Sequence, residues 1–141
     1  MAEAIGLASG LLALTVFAFQ SSISLRKVVD SFQSNKKIIR ELKEELEALS
    51  GVLQSLEQAA ADNSEDLSSL NLPLLRCGKA CKDFEEVIVK CTAHSGGSRT
   101  SFRDWAKLKY IGDDIAGFKD MLAGYKSTIN IAFAGANLYV F

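Results

Sequence analysis

Apolar residues recur along most of this chain at alternating steps of three and four, which is the spacing of one helix face. The first row begins at Leu25 and ends at Leu56, and the polar Asn35 interrupts it once. Its apolar members are Leu25, Val28, Phe32, Ile39, Leu42, Leu46, Leu49, Leu53 and Leu56. The stretch that follows, Ala59 to Ser64, has the composition of a loop. The row therefore predicts a long amphipathic segment.

Two further rows keep the same spacing. In the second, proline is tolerated only in the first helical turn, so we expect the regular helix to begin near Pro73, with Asn71 as its cap. In the third, the run Gly112-Asp113-Asp114 is typical of a helix that stops and restarts. The second row comprises Leu67, Leu70, Leu74, Cys77, Cys81, Phe84, Ile88 and Cys91. The third comprises Leu108, Ile111, Ile115, Phe118, Leu122, Tyr125, Ile129, Ala132, Ala136 and Tyr139.

The opening stretch is different, because no charged residue occurs from Ala4 to Leu25. Its length meets the roughly 20 residues that a membrane span needs, although its serines and Gln20 dilute it. A secretory signal is disfavoured, because Met1-Ala2-Glu3 lacks positive charge. We predict an apolar helix over about residues 2–23, and both membrane insertion and burial in a bundle remain open. Gly6 and Gly10 predict close packing of this helix on another one.

Amphipathic helices are unstable alone in water, so the rows must face one another. The chain has 141 residues and a single proline, which favours one domain of long helices over a strand-rich fold. We therefore predict one all-α domain over residues 1–141, an up-and-down bundle of four to five helices. Both chain ends are apolar, and we expect them to bury each other.

Charge and composition narrow the function. The net charge of −1 gives no overall field for nucleic acid. The one histidine, His94, lies in the loop-like run His94–Ser101, and neither a catalytic triad nor a phosphate-binding glycine loop is present. We therefore expect no enzyme activity, no cofactor and no small-molecule substrate.

Three cysteines could suggest a metal or redox site. Cys77 and Cys81 share a helix face, but Cys91 lies ten residues further, about 15 Å along a helix. That separation is too large for one zinc ion. We expect all three to be small, reduced core residues of a cytosolic protein.

Basic residues follow directly after the uncharged stretch. They are Arg26, Lys27, Lys36, Lys37 and Arg40. A solvated helix face is one interpretation. Contact with anionic lipid headgroups is the other, at about 1 kcal/mol for each basic residue near a membrane surface.

Several segments, in this order, resemble the fungal HeLo-like domains, the N-terminal domains of fungal STAND (NLR-like) proteins. They are MAEAIGLASGLLAL, ELEALSGVLQSL, LPLLRCGKACKDFEEVIVKC and HSGGSRTSFRDWAKLKYIGDDIAGFKDMLAGYKSTINIAFA. The resemblance covers nearly the whole chain. The final GANLYVF is more apolar than the resemblance implies.

The resemblance implies a helical bundle that acts as a cell-death effector, similar in role to the four-helix killer domain of the mixed-lineage kinase-like pseudokinase. A receptor or an amyloid-type signalling protein would cluster the domain, and it would self-associate. It would rest in the cytoplasm and reach the plasma membrane when activated. Its membrane-inserting residues would lie between Ile5 and Phe19: Ile5, Leu7, Leu11, Leu12, Leu14, Val16, Phe17 and Phe19.

A second function of a different class stays open. Domains of this kind precede many other domains, so the chain could be a signalling or oligomerisation adaptor of a STAND receptor that never touches lipid. Release of dye from vesicles would separate the two functions.

Overall fold

The computed structural model describes residues 10–31, 37–63, 67–93 and 109–140, with side chains for 10–31, 37–60, 67–90 and 115–135. The described residues form four α-helices and no strand. The helices are α1 (Gly10–Asp30), α2 (Lys37–Asn63), α3 (Asn71–Ala93) and α4 (Lys109–Val140), and a 3-10 turn (Ser68–Leu70) precedes α3. The predicted all-α fold is confirmed.

Consecutive helices alternate in direction. Ser22 and Arg26 of α1 meet Ser50 and Glu47 of α2 in reverse order, so these helices are antiparallel. In the same way, α3 runs parallel to α1, because Phe17 meets Gly78 and Ser24 meets Glu85. The pairs Glu41–Lys119 and Glu45–Lys126 make α4 parallel to α2. The bundle is therefore up-down-up-down, as predicted.

The four helices occupy the corners of a square. Within the described residues, α1 packs on α2 and α3, while α4 packs mainly on α2 and only lightly on α3. Hence α1 and α4 lie at opposite corners. The expected mutual burial of the two apolar ends is not seen in their described parts, because α1 and α4 are not among the helix pairs with substantial contact. The side chains of residues 1–9 and 136–141 lie outside the described set.

The predicted rows form the core. Every described member of the second row is buried, from Leu67 to Ile88. In the third row Ile115, Phe118, Leu122 and Ile129 are buried, whereas Tyr125 is half-buried. In the first row Val28 is only half-buried, and its neighbour Val29 is buried instead.

Several predicted boundaries are wrong. The first row is divided between two helices, because α1 runs on to Asp30 instead of ending near residue 23. Helix α2 continues to Asn63 through the presumed loop, and Ala60 is buried there. Asn71 already has helical dihedral angles and therefore is no cap. Helix α4 runs unbroken through residues 112–114.

Candidate functional site

Helix α1 is the one helix of the described residues that is long and apolar enough to cross a membrane. Its 21 residues have a mean hydropathy of 1.3 in the most apolar window. Yet 28% of that window is buried in the bundle. A helix that is apolar all round is expected in a buried core or a membrane, whereas α1 is buried along one stripe only.

Half of the side chains in the buried stripe of α1 are small or polar. Its members are Leu11, Thr15, Ala18, Ser22, Leu25 and Val29. Thr15, Ala18 and Ser22, in the middle, are completely buried. Small side chains there leave room for α2 and α3 to lie close to α1.

The larger apolar side chains of α1 lie beside this stripe and are half-buried. They include Leu12, Leu14, Val16, Phe17 and Phe19. Leu12, Leu14 and Phe19 pack against the edge of the core. Many of the large apolar side chains of α1 therefore lie outside the centre of the bundle. These residues and Leu11 are six of the eight predicted membrane-inserting residues, while Ile5 and Leu7 lie outside the described residues.

The buried hydroxyls of α1 bond to α1 itself. Thr15 Oγ1 donates to the carbonyl of Leu11 at 2.7 Å, and Ser22 Oγ donates to that of Phe19 at 2.7 Å. Hydroxyls bonded to their own helix need no partner from elsewhere. The helix therefore keeps these bonds if it leaves the bundle, a requirement for any segment that enters lipid.

One polar contact joins the buried faces of α1 and α2. Ser22 Oγ lies 3.2 Å from Ser50 Oγ, and Ser50 Oγ also lies within bonding distance, 2.8 Å, of the carbonyl of Leu46. Two hydroxyls carry two protons, but three bonds are available to them. The Ser22–Ser50 hydrogen bond therefore forms only when one of the two serines stops donating to the carbonyl of its own helix. This competition makes the contact between the two serines weak.

Helix α3 packs closely against α1 through complementary shape. A Cβ placed on Gly78 would collide with the ring of Phe17, so only glycine permits the observed approach. Further along, Ser24 Oγ donates to Glu85 Oε1 at 2.5 Å on the exposed side. The sequence analysis missed Gly78, although a glycine inside an apolar helical row is a signal of close packing.

The close packing predicted for the two N-terminal glycines is not seen at Gly10, where an added Cβ would have no described atom within 4 Å. Gly6 lies outside the described residues. Among the described helices, the glycine that brings α1 close to a neighbour belongs to α3.

The predicted lipid-contacting cations lie where α1 ends and α2 begins. Arg26 is partly exposed and pairs with Asp30 at 3.6 Å and Glu47 at 3.9 Å. Lys37 is exposed and lies 3.8 Å from Glu41, and Lys27 and Arg40 are exposed. Lys36 lies outside the described residues. The cations are thus at the opposite end of α1 from Leu11, about 24 Å away at 1.5 Å per residue.

Ion pairs fasten α2 to α4. Lys119 Nζ lies 2.6 Å from Glu41 Oε2, and Lys126 Nζ lies 2.9 Å from Glu45 Oε1. The bond to Lys119 holds the pKa of Glu41 below its ordinary value, and the same bond raises the pKa of Lys119. Glu41 and Glu45 lie outside the apolar row of α2, and these ion pairs nevertheless place them at an interface between helices.

Cys77 and Cys81 are buried thiols on the core face of α3, as predicted. The hydrogen bond between Cys81 and Cys77, together with burial, raises the pKa of the Cys81 thiol well above its ordinary range. Cys91 lies outside the described side chains. No group of three or more His, Cys, Asp or Glu residues within the described part could hold a metal ion.

An apolar groove separates α3 from α4. Its volume is about 570 Å³, and it is lined by Ala80, Asp83, Phe84, Val87, Gly117, Phe118 and Met121. The rings of Phe84 and Phe118 stack in parallel with centroids 4.1 Å apart. Val87 and Met121 are exposed. The sequence analysis did not identify this groove. It exists because α3 and α4 make few contacts with each other, and the spacing of apolar residues within each helix does not show this.

Comparison with known proteins gives one family. The model of the family described as "Pigment biosynthesis cluster protein PigL N-terminal" matches residues 2–140, nearly the whole chain. No curated protein and no solved structure matches the chain.

Proposed function

The chain belongs to the PigL N-terminal family, and for this member we propose the function of a cell-death effector that disrupts the plasma membrane with helix α1. The domain rests in the cytoplasm as a four-helix bundle. A receptor or an amyloid-type signal clusters it, it self-associates, and α1 then leaves the bundle and enters lipid. The HeLo-like resemblance of the sequence supports this role.

The self-contained bonding of α1 carries the proposal. Its buried hydroxyls, Thr15 and Ser22, bond to carbonyls of α1, so its departure leaves neither of them without a partner. Unsatisfied polar groups are the main obstacle to a segment in hydrocarbon.

The length and the charges of α1 fit a span. No charge occurs between Ala4 and Leu25, a stretch that matches the roughly 20 residues needed to cross hydrocarbon. Arg26 and Lys27 follow at once, which places two cations at headgroup depth when the uncharged stretch is inserted. The same cations, with Lys37 and Arg40, form the proposed contact with anionic lipid.

One charge in the middle of α1 tests the proposal. Ala13 is exposed, so Ala13→Lys should preserve the bundle. At a bilayer centre the lysine costs about 2.5–3.5 kcal/mol on insertion scales. Dye release from phosphatidylserine-containing vesicles should therefore fall sharply.

The matched control is Gln54→Lys, which adds the same charge at an exposed position of the neighbouring α2. It should leave dye release unchanged, while circular dichroism confirms that both variants are folded. Equal release by the wild type and both variants would contradict insertion of α1.

A second function, an adaptor that binds partners through helix faces, is favoured by the groove between α3 and α4. An adaptor needs an unoccupied apolar surface, and it predicts no dye release by the wild type at any concentration. Partner binding would then be sensitive to Val87→Glu and insensitive to Ala13→Lys.

A further inference from the structure

Helix α4 carries a second row of evenly spaced residues on its outer side. Its members are Gly117, Met121, Gly124, Thr128, Ile131 and Gly135, again at steps of four and three. None carries a charge, and all are exposed except Gly135, which is half-buried. Ile131 is 72% exposed, the highest value among the large apolar side chains described. This outer stripe is about 27 Å long at 1.5 Å per residue.

Within the described residues, no neighbouring atom requires a glycine at the three glycine positions of the stripe. A Cβ added at Gly117, Gly124 or Gly135 would meet no described atom within 4 Å. Glycine inside an exposed helix is unfavourable relative to alanine, so three on one face weaken α4 for no internal gain. Thr128 Oγ1 donates to the carbonyl of Gly124, so this hydroxyl needs no partner from a second molecule.

The outer stripe is self-complementary. If a second α4 lies antiparallel across a twofold axis at the level of Lys126, Gly117 is opposite Gly135 of the second copy. Met121 is then opposite Ile131, and Gly124 is opposite Thr128. Small residues meet small ones and allow close approach, while the two large side chains share one level at each end. A surface that matches itself under a twofold rotation is the defining property of a homodimer contact.

The charges of α4 agree with this arrangement. Lys119 and Lys126 point to the other side of the helix, where they bind Glu41 and Glu45 of α2. Asp120 is exposed beside the stripe, but it would be level with Ala132 of the second copy, so these charges form no like-charged pair in the seam. The stripe also borders the groove between α3 and α4, because Gly117 and Met121 belong to both.

We infer that this domain forms an antiparallel homodimer through the outer stripe of α4. The inference deepens the self-association named in the proposed function, and it is measured in solution without lipid. A monomeric wild type would contradict the dimer without affecting the dye-release results. Absence of dye release would contradict the proposed function without affecting the dimer.

Sedimentation of the whole chain over a range of concentrations tests it. The wild type should dimerise, and Ile131→Glu should raise the dissociation constant by at least about tenfold. Asn130→Glu is the control, since Asn130 is exposed on α4 but lies off the stripe. Gly124→Leu should weaken the dimer, and Gly51→Leu, at an exposed glycine of α2, should not. A monomeric wild type, or equal dimerisation of Ile131→Glu and Asn130→Glu, would overturn the inference.

Cross-linking tests the direction of the pair in a Cys91→Ser background. Chains with Gly124→Cys and chains with Thr128→Cys should form a mixed disulfide more readily than either forms one with itself. Preferred bonding of position 124 to itself would indicate a parallel pair and would overturn the antiparallel dimer.

Discussion

Helices α1 and α2 lie side by side, and they are built on opposite plans. Helix α2 supplies six large side chains to the buried core, whereas α1 supplies three. Those of α2 are Ile39, Leu42, Leu46, Leu49, Leu53 and Leu56, and those of α1 are Leu11, Leu25 and Val29. Yet α1 has the higher mean hydropathy of the two. The apolar residues of α2 are therefore explained by the fold, and many of those of α1 are not.

The comparison shows that the more hydrophobic of two helices need not contribute more to the core. In α2 the large apolar side chains lie on the face that other helices cover, and the charged ones lie beside it or away from it, with Glu41 and Glu45 at the edge next to α4. In α1 small and hydroxyl side chains fill the middle of the covered face, and Leu11, Leu25 and Val29 lie toward its two ends. The other large apolar side chains of α1 lie at the margins of that face. Apolar residues in excess of what the bundle buries point to a second environment for α1.

The largest expected effect comes from a core leucine of α2. Leu46 is completely buried, so Leu46→Ala should lower the free energy of unfolding by about 2–5 kcal/mol. The matched change on α1, Leu14→Ala, removes a half-buried side chain and should cost about 1 kcal/mol. Urea denaturation measures the free energy of unfolding of both variants. Equal losses of stability would contradict the proposed difference between the two helices.

The contact of α1 with α3 should be the next most sensitive. Gly78→Ala introduces a Cβ against the ring of Phe17, and overpacking of this kind costs about 1–3 kcal/mol. Because the strain falls on α1, dye release from vesicles should increase as stability decreases. Phe17→Leu in the same chain should restore part of the stability.

Gly51→Ala is the control for Gly78→Ala, since its Cβ meets open space on α2. It should stabilise the domain by about 0.4–1 kcal/mol and leave dye release unchanged. If Gly78→Ala proved equally stabilising, glycine would not be required where α1 meets α3.

A smaller effect is expected at the serine bridge. Ser22→Ala removes the contact with Ser50, but Ser50 then keeps its bond to Leu46. No buried hydroxyl loses its last partner, so the loss of stability should stay below about 1 kcal/mol. A loss above about 2 kcal/mol in urea denaturation would show that the bridge is a main attachment of α1.

The apolar rows predicted most of the core correctly, because side chains repeated at helical spacing must be covered by something. The same rows did not predict correctly where the helices begin and end. The row from Leu25 to Leu56 keeps its spacing across the break between α1 and α2, so periodicity alone cannot locate that break. Gly112-Asp113-Asp114 shows the reverse error, since helix α4 continues through residues with poor helix propensity.

The site was predictable in part. The uncharged stretch marked α1 as unusual from its composition alone. Its small buried stripe and the fit of Gly78 to Phe17 depend on which neighbours surround α1, and spacing within one segment does not contain that information. The pairs of Glu41 and Glu45 with α4 were missed for the same reason, because each joins residues far apart in the sequence.

The smallest expected effect concerns the charged side of α2, a feature that α1 lacks between Gly10 and Leu25. Lys119 holds the pKa of Glu41 below its ordinary value of 4.5. A carboxylate with a lowered folded-state pKa stabilises the protein above its unfolded pKa, and that contribution is lost as pH falls through the folded pKa. Glu41→Gln should therefore reduce stability at pH 7 and make no difference in strong acid. Glu44→Gln, at an exposed carboxylate of the same helix, should change stability less at pH 7. Urea denaturation from pH 7 down to pH 3 measures the difference, and a Glu41→Gln effect that persisted undiminished at pH 3 would assign it to packing instead of charge.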